Sequence, residues 1–492
     1  MTSSPISRRT ALTGLVLLGA GGAAALTACS SGDRPVGAGA IAAAESARPT
    51  SGRTRTYRVN ARRAQVDLGG RVVDTWAYGD QVPGTMLRAT AGDRVRVAFT
   101  NELPEETSVH WHGLAIRNDM DGVPHLTSEP VAAGGRFDFD FTVPDPGTYW
   151  FHPHSGLQLD RGLYAPFVID DPSEPGDYDA EWVVVLDDWT DGVGPTPEQI
   201  FADLKRGGGS MGGMDMGDGS MGGMGMGGDG GDVRYPLYLV NGRAPTDPDV
   251  LRAKAGQRVR IRLINAAADT IFDMALGAHR MTVTHSDGYP VEPAQTGSLR
   301  LGMGERYDVV VTLGSGVFPL AAQPLGKQGQ AVALVRTASG PVPPSGYRPP
   351  ELDTPPLTVV DLSAASGSAL PARSPDSRQD VALSGSMSGY VWTINGRTYD
   401  KTRPLTVRQG QMTRLRITNH SMMGHPLHVH GHTFQLGPAG GRGPRKDTVL
   451  VPPMGGLEAD LLADNPGRWM VHCHNAYHAE AGMMTRLDYQ AT

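Results

Sequence analysis

Apolar and polar residues alternate along much of this chain in short runs, each opened by a glycine turn. Val95-Arg96-Val97 follows Gly92-Asp93-Arg94, Val259-Arg260-Ile261 follows Gly256-Gln257-Arg258, and Leu415 follows Gly410-Gln411-Met412-Thr413-Arg414. A period of two places successive side chains on opposite faces of an extended backbone, so each run predicts a half-buried β-strand. The runs belong to a larger repeat with a period of about 160 residues. Its copies reach from Tyr78-Gly79-Asp80-Gln81-Val82-Pro83-Gly84 to Asn101, from Val240-Asn241-Gly242 to Asn265, and from Ile394-Asn395-Gly396 to Asn419. Turn, strand, glycine turn and strand recur in the same order three times. That predicts an all-β protein of three β-sandwich domains of one type.

Composition fits three such units. The chain has 492 residues, with 65 glycines and 38 prolines, enough for three domains rich in turns. The three units are expected at residues 53–172, 173–345 and 346–492. Within the second, Gly207 to Asp232 is almost wholly Gly, Met, Asp and Ser. Such a stretch buries no core and is expected to be a disordered loop. Pro341 to Pro356 is a proline-rich connection into the third unit.

The N-terminus reads as an address. Ser7-Arg8-Arg9-Thr10 is a twin-arginine signal, and Ala11 to Ala28 is a modest apolar stretch, too rich in glycine for a permanent membrane span. Leu26-Thr27-Ala28-Cys29 is similar to a bacterial lipoprotein box. It implies removal of residues 1–28, lipidation of Cys29, and an extracytoplasmic protein held at the membrane only by its lipid. Residues 29–52 are expected to be a flexible tether.

Only two cysteines are present, Cys29 and Cys473, which excludes a disulfide framework. The net charge of −7 comes without any basic block, which argues against nucleic acid as a partner.

The chemistry lies in the histidines. Ten of the fifteen fall in four clusters within the first and third repeats: His110-Trp111-His112, His152-Pro153-His154, His425-Pro426-Leu427-His428-Val429-His430, and His472-Cys473-His474 followed by His478 and Met483. On a strand each His-X-His pair presents two imidazoles to one point. Four converging pairs supply eight nitrogens, enough for three copper ions with a position open for O2. Cys473 lies between two such ligands and faces the other way. With His425, His478 and the thioether of Met483 it completes a His2Cys site with a weak axial methionine, a blue-copper electron-transfer centre.

From about Thr54 to the C-terminus, these motifs and their order resemble the multicopper oxidase family of laccases, ascorbate oxidase and bacterial copper-resistance oxidases. The resemblance implies three cupredoxin domains, each a Greek-key β-sandwich, and four copper ions: one type 1, one type 2 and a type-3 pair. It further implies His425, Cys473, His478 and axial Met483 as type-1 ligands. His110 and His428 would hold the type-2 ion, and His112, His152, His154, His430, His472 and His474 the type-3 pair. Asp121 matches an acidic residue that feeds protons to the cluster. The position after His478, a glutamate in some bacterial members, is here Ala479, with Glu480 one residue on. The middle repeat has His279 and His285 but no cysteine, and is expected to be a copper-free spacer.

The family divides by electron donor. Met211, Met214, Met216, Met221, Met224 and Met226 crowd the glycine-rich loop, and Met422 and Met423 precede His425. Thioethers suit Cu(I), so the expected reaction is Cu(I) oxidation coupled to reduction of O2 to water, in copper detoxification. The alternative within the family is a laccase acting on phenols or aromatic amines. Two other classes are a copper-storage or electron-transfer protein, which needs no eight-histidine cluster, and a copper nitrite reductase, whose pattern lacks the His-Cys-His triplet.

Overall fold

The computed structural model describes residues 36–174, 176–207 and 230–491. The twin-arginine signal, Cys29 and the six loop methionines Met211 to Met226 lie outside the described residues. Three β-sandwiches follow one another along the chain. The first pairs two four-stranded sheets, and the second and third each pair a six-stranded with a five-stranded sheet.

The repeat seen in the sequence is one structural device used three times. In every unit the alternating strand pairs in parallel with the unit's first strand: Thr54–Ala61 with Arg94–Asn101, Ala180–Leu186 with Val259–Asn265, and Ser377–Leu383 with Thr413–Asn419. The closing asparagine then fixes the next loop. Asn101 Nδ2 donates to the carbonyls of Glu105 and Val131, Asn265 Nδ2 to those of Thr270 and Leu301, and Asn419 Nδ2 to those of Met423 and Pro452. Each Oδ1 accepts the amide two residues on, from Leu103, Ala267 and Ser421. A side chain that satisfies buried backbone groups at both ends of a loop explains why this residue type recurs.

Two expectations are corrected. Arg94–Asn101 alternates between exposed and buried, but the matching strand Arg258–Asn265 is buried on both faces beyond its first residue. Its polar face is covered: Arg260 and Arg262 meet Asp308, and Arg262 reaches Glu181 and Thr148 Oγ1 of the first unit. The second correction concerns the tether, whose described part is ordered. Ala38–Ser46 is an α-helix, Glu45 Oε1 accepts from the amide of Thr142, and the Val36 amide donates to Tyr489 O. Among the described residues no helix is long and apolar enough to cross a membrane.

Candidate metal centres

Eight of the ten clustered histidines gather where the first unit meets the third, and His425 and His478 lie apart around Cys473. His110–His112 pairs antiparallel with Gly147–His152, so that His110 lies opposite His152. In the third unit, His425–Val429 pairs with Arg468–Cys473, so that His428 faces His472 and Leu427 faces Cys473. Alternation separates the faces: Trp111 packs into the first unit's core against Phe139, Phe141 and Phe151, while its neighbours point the other way. Across the domain boundary the His110 ring stacks on His430 at 3.8 Å, and His112 on His428 at 3.9 Å.

The hydrogen bonds show which nitrogens are spoken for. His110 Nδ1 bonds to Asp121 O, His152 Nδ1 to Pro153 O, His428 Nδ1 to Asp447 O, His472 Nδ1 to Cys473 O and His430 Nδ1 to Asp121 Oδ2, all within 3.0 Å. These bonds fix the tautomer and leave Nε2 as a lone pair. The nitrogens left over are buried without a partner: Nε2 of His110, His152, His154 and His428, Nδ1 of His112, and both nitrogens of His474. His430 Nε2 and His472 Nε2 face each other at 3.1 Å. An unsatisfied buried polar atom costs roughly 1–3 kcal/mol, so a concave set of them has the character of a site for bound cations. Burial first, and then the neighbouring imidazoles, push His112, His152, His154, His430, His472 and His474 well below the usual histidine range. Neutral imidazole is the form that binds metal.

The second centre surrounds Cys473, which is fully buried. Its Sγ lies 3.5 Å from His425 Nδ1 and 3.8 Å from His478 Nδ1, and the two nitrogens are 3.1 Å apart. Met483 is buried in the same core, whereas Met484 lines a small cavity with His152, His154 and His472. Burial pushes the Cys473 thiol up, and a bound cation is what would turn it into a thiolate. Trp392 lies over His478, with ring centroids 4.0 Å apart.

Five residues that sequence reasoning missed complete the two centres. His478 Nε2 donates to Asp232 Oδ2 at 2.9 Å, Tyr390 OH donates to the same oxygen, and Ser421 Oγ is 2.7 Å from His425 Nε2. Thr448 Oγ1 stands between His112 Nε2 and His428 Nδ1, beside Asp447. Asp232 closes the low-complexity stretch and Ser421 is a lone serine, so no local pattern marks them. Asp121, predicted from its motif, is buried with Oδ1 3.2 Å from His110 Nδ1. His279 and His285, the middle unit's histidines, bond within that unit to Gly277 O and Thr284 Oγ1.

A His2Cys set and an eight-histidine set joined by a His-Cys-His triplet are the pattern of a class of copper oxidases, and comparison with known proteins agrees. Three family models, each described as multicopper oxidase, match residues 60–174, 180–340 and 372–491. The chain belongs to the multicopper oxidase family. It is an oxidoreductase that uses O2 as acceptor and four copper ions: one type 1, one type 2 and a type-3 pair. It is 51% identical to the multicopper oxidase MmcO of Mycobacterium tuberculosis, over 96% of this chain and 95% of that protein. A copper resistance protein A homolog of Pseudomonas syringae pv. tomato is 29% identical, over 86% of this chain and 90% of its own. A solved multi-copper oxidase from Pseudomonas thermotolerans matches with a TM-score of 0.69 at 28% identity, covering 89% of this chain and 99% of that one.

Proposed function

We propose that the chain is a cuprous oxidase: it takes electrons from Cu(I) at the Cys473 centre and passes them to the histidine cluster, where O2 is reduced. In this reading His425, Cys473, His478 and Met483 hold the type-1 ion, and His110 and His428 the type-2 ion. His112, His152, His154, His430, His472 and His474 hold the type-3 pair. The family's coppers supply the redox chemistry. Cys473 lies between His472 and His474, so the backbone joins the two centres directly. Asp121, which bonds His430 Nδ1 and lies beside His110, hands protons to the cluster in this reading.

One observation carries the choice of donor. Described residues that flank the methionine-rich stretch lie near the residues around His478. On the near side Phe201, in the helix Pro197–Lys205, has its ring 6.1 Å from Tyr390 and 6.4 Å from Tyr477. On the far side Asp232 bonds His478. Six thioethers in the stretch that ends at Asp232, the carboxylate bonded to His478, suit a soft cation. The copper-resistance names among the relatives support the same reading. Replacing Met211, Met214, Met216, Met221, Met224 and Met226 by serine is expected to slow Cu(I) oxidation at low copper and spare phenol oxidation. Equal loss of both activities, or loss of neither, would reject delivery by this segment.

A second reading, oxidation of phenols, has its own support. An apolar cavity of about 230 Å³ lies between Ile271 and Leu325 of the middle unit and Leu450, Pro452 and Leu457 of the third, bordered by Gly424 next to His425. A small aromatic donor would fit such a pocket. Comparing O2 uptake on Cu(I) and on a phenol ranks the two readings.

A further inference from the structure

The middle unit contributes to neither predicted ligand set, yet one of its side chains stands where all three units meet. Arg306, at the start of the strand Arg306–Thr312, is fully buried. Its Nε donates to Thr148 O of the first unit at 3.0 Å. Its Nη1 and Nη2 grip Asp447 of the third unit at 2.7 and 2.6 Å, the fork geometry in which guanidinium and carboxylate fit best. Asp287 completes the clamp, accepting the Arg306 amide on Oδ1 and the Asp447 and Thr448 amides on Oδ2.

Asp447 is in turn the outer partner of two histidines. Its Oδ1 lies 3.3 Å from His112 Nε2 and 3.4 Å from His428 Nδ1. Thr448 Oγ1, which donates to Asp447 Oδ1, lies 3.1 and 3.0 Å from the same two nitrogens. His112 is thereby bonded through Nε2 and keeps Nδ1 free, the reverse of His110, His152 and His428. The packing leaves no slack. A Cβ on Gly113 would stand 2.4 Å from Arg306 Nη2, and one on Gly304 would stand 2.8 Å from the His474 ring.

We propose that Arg306 is a positioning residue for the trinuclear cluster: by holding Asp447, whose carbonyl takes His428 Nδ1 and whose carboxylate takes the Thr448 hydroxyl between the two rings, it sets the orientation of His112 and His428, one ligand from each flanking domain. Without the guanidinium, Asp447 is a buried charge with no matching cation and cannot hold both imidazoles in place. Lysine keeps the charge but loses the fork.

The inference rests on His112 and His428 being cluster ligands, and wild-type copper content tests that assignment first. Four ions per chain support it, whereas one ion with the blue colour intact removes the cluster and the inference together. The copper-loaded Arg306→Lys protein is then titrated with a chelator and examined by electron paramagnetic resonance. The expected result is cluster copper held about 10–100-fold more weakly and an altered type-2 signal, with the type-1 absorbance unchanged. Wild-type affinity and type-2 signal, with only a lower melting temperature, would reduce Arg306 to a domain weld and overturn the proposal. Asp447→Asn, nearly isosteric, is the parallel variant should Arg306→Lys fail to fold. The same weakened, altered cluster is expected, and a wild-type cluster in that variant also overturns the proposal.

Discussion

Asp232→Asn tests how electrons enter. The carboxylate takes hydrogen bonds from His478 Nε2 at 2.9 Å and Tyr390 OH at 2.7 Å, and its side chain is only 5% exposed. Burial alone would push its pKa up, but His478 and Tyr390 more than offset this and hold it below the ordinary value, so it stays ionised at neutral pH. A hydrogen bond to a charged group is worth roughly 1.5–3 kcal/mol. With a copper ion held at the His478 Nδ1 that faces Cys473, the imidazole N–H would be more polarised in the oxidised than in the reduced state, and the bond tighter. If about half of its strength is lost on reduction, the carboxylate favours the oxidised state by about 1 kcal/mol, or roughly 40–60 mV for a one-electron couple. Asparagine preserves shape and an acceptor but removes the charge. The type-1 potential should therefore rise by about 50 mV, read by redox titration of the blue absorbance. KM for Cu(I) should increase more than KM for a neutral phenol. A potential that stays put or falls would refute the argument.

Other variants probe the remaining links. Cys473→Ser is expected to abolish the blue colour and turnover while the cluster keeps its copper, since none of its eight histidines changes; residual turnover near wild type would mean another electron entry. Asp160→Asn addresses pH. Burial first, then Asp188, pushes the Asp160 carboxyl far above its ordinary 3.8 despite the Tyr477 and Tyr235 hydroxyls. The folded state thus holds a proton that the unfolded chain releases, and this group costs stability as pH rises above about 4. The melting-temperature advantage of Asp160→Asn should grow between pH 4 and 7, and a pH-independent difference would count against a protonated Asp160. Cys29→Ala should release the protein from membranes into the soluble extracytoplasmic fraction, because lipidation is its proposed anchor; wild type already soluble after export would end that reading.

What was legible in the sequence was whatever strand geometry repeats at short range. His-X-His pairs, the cysteine between two of them and the recurrent Asn101, Asn265 and Asn419 all follow from a period of two and from loops that must satisfy their own backbone. Residues acting across hundreds of positions left no such trace. Asp447 meets His112, and Arg306 meets Asp447, only because the third and middle units fold against the first. The same burial by neighbours erased the expected alternation in Arg258–Asn265. The helix at Ala38–Ser46 was legible and misread: Ala-rich segments propagate helix well, and docking of Val36 and Glu45 gives this short one the tertiary support it needs.

The same contacts account for a middle unit that was expected to be a spacer. It also places charged side chains behind both copper centres. Arg306 stands behind the cluster. Asp269 stands behind the type-1 centre, where Oδ1 accepts from Asn475 Nδ2 and the Asp232 amide, and Oδ2 from the Val233 amide and Lys327. Asn475 caps the short helix that carries His478, accepting the Tyr477 and His478 amides. One carboxylate therefore fixes both the backbone that presents His478 and the residue, Asp232, that bonds its outer nitrogen. The backbone of His472-Cys473-His474 ties the two centres together, but the histidine cluster itself is shared between the first and third units and could open with that interface. Arg306, bonded to Thr148 of the first unit and to Asp447 of the third, rests the geometry of that shared cluster on a buried ionic framework rather than on a single interface.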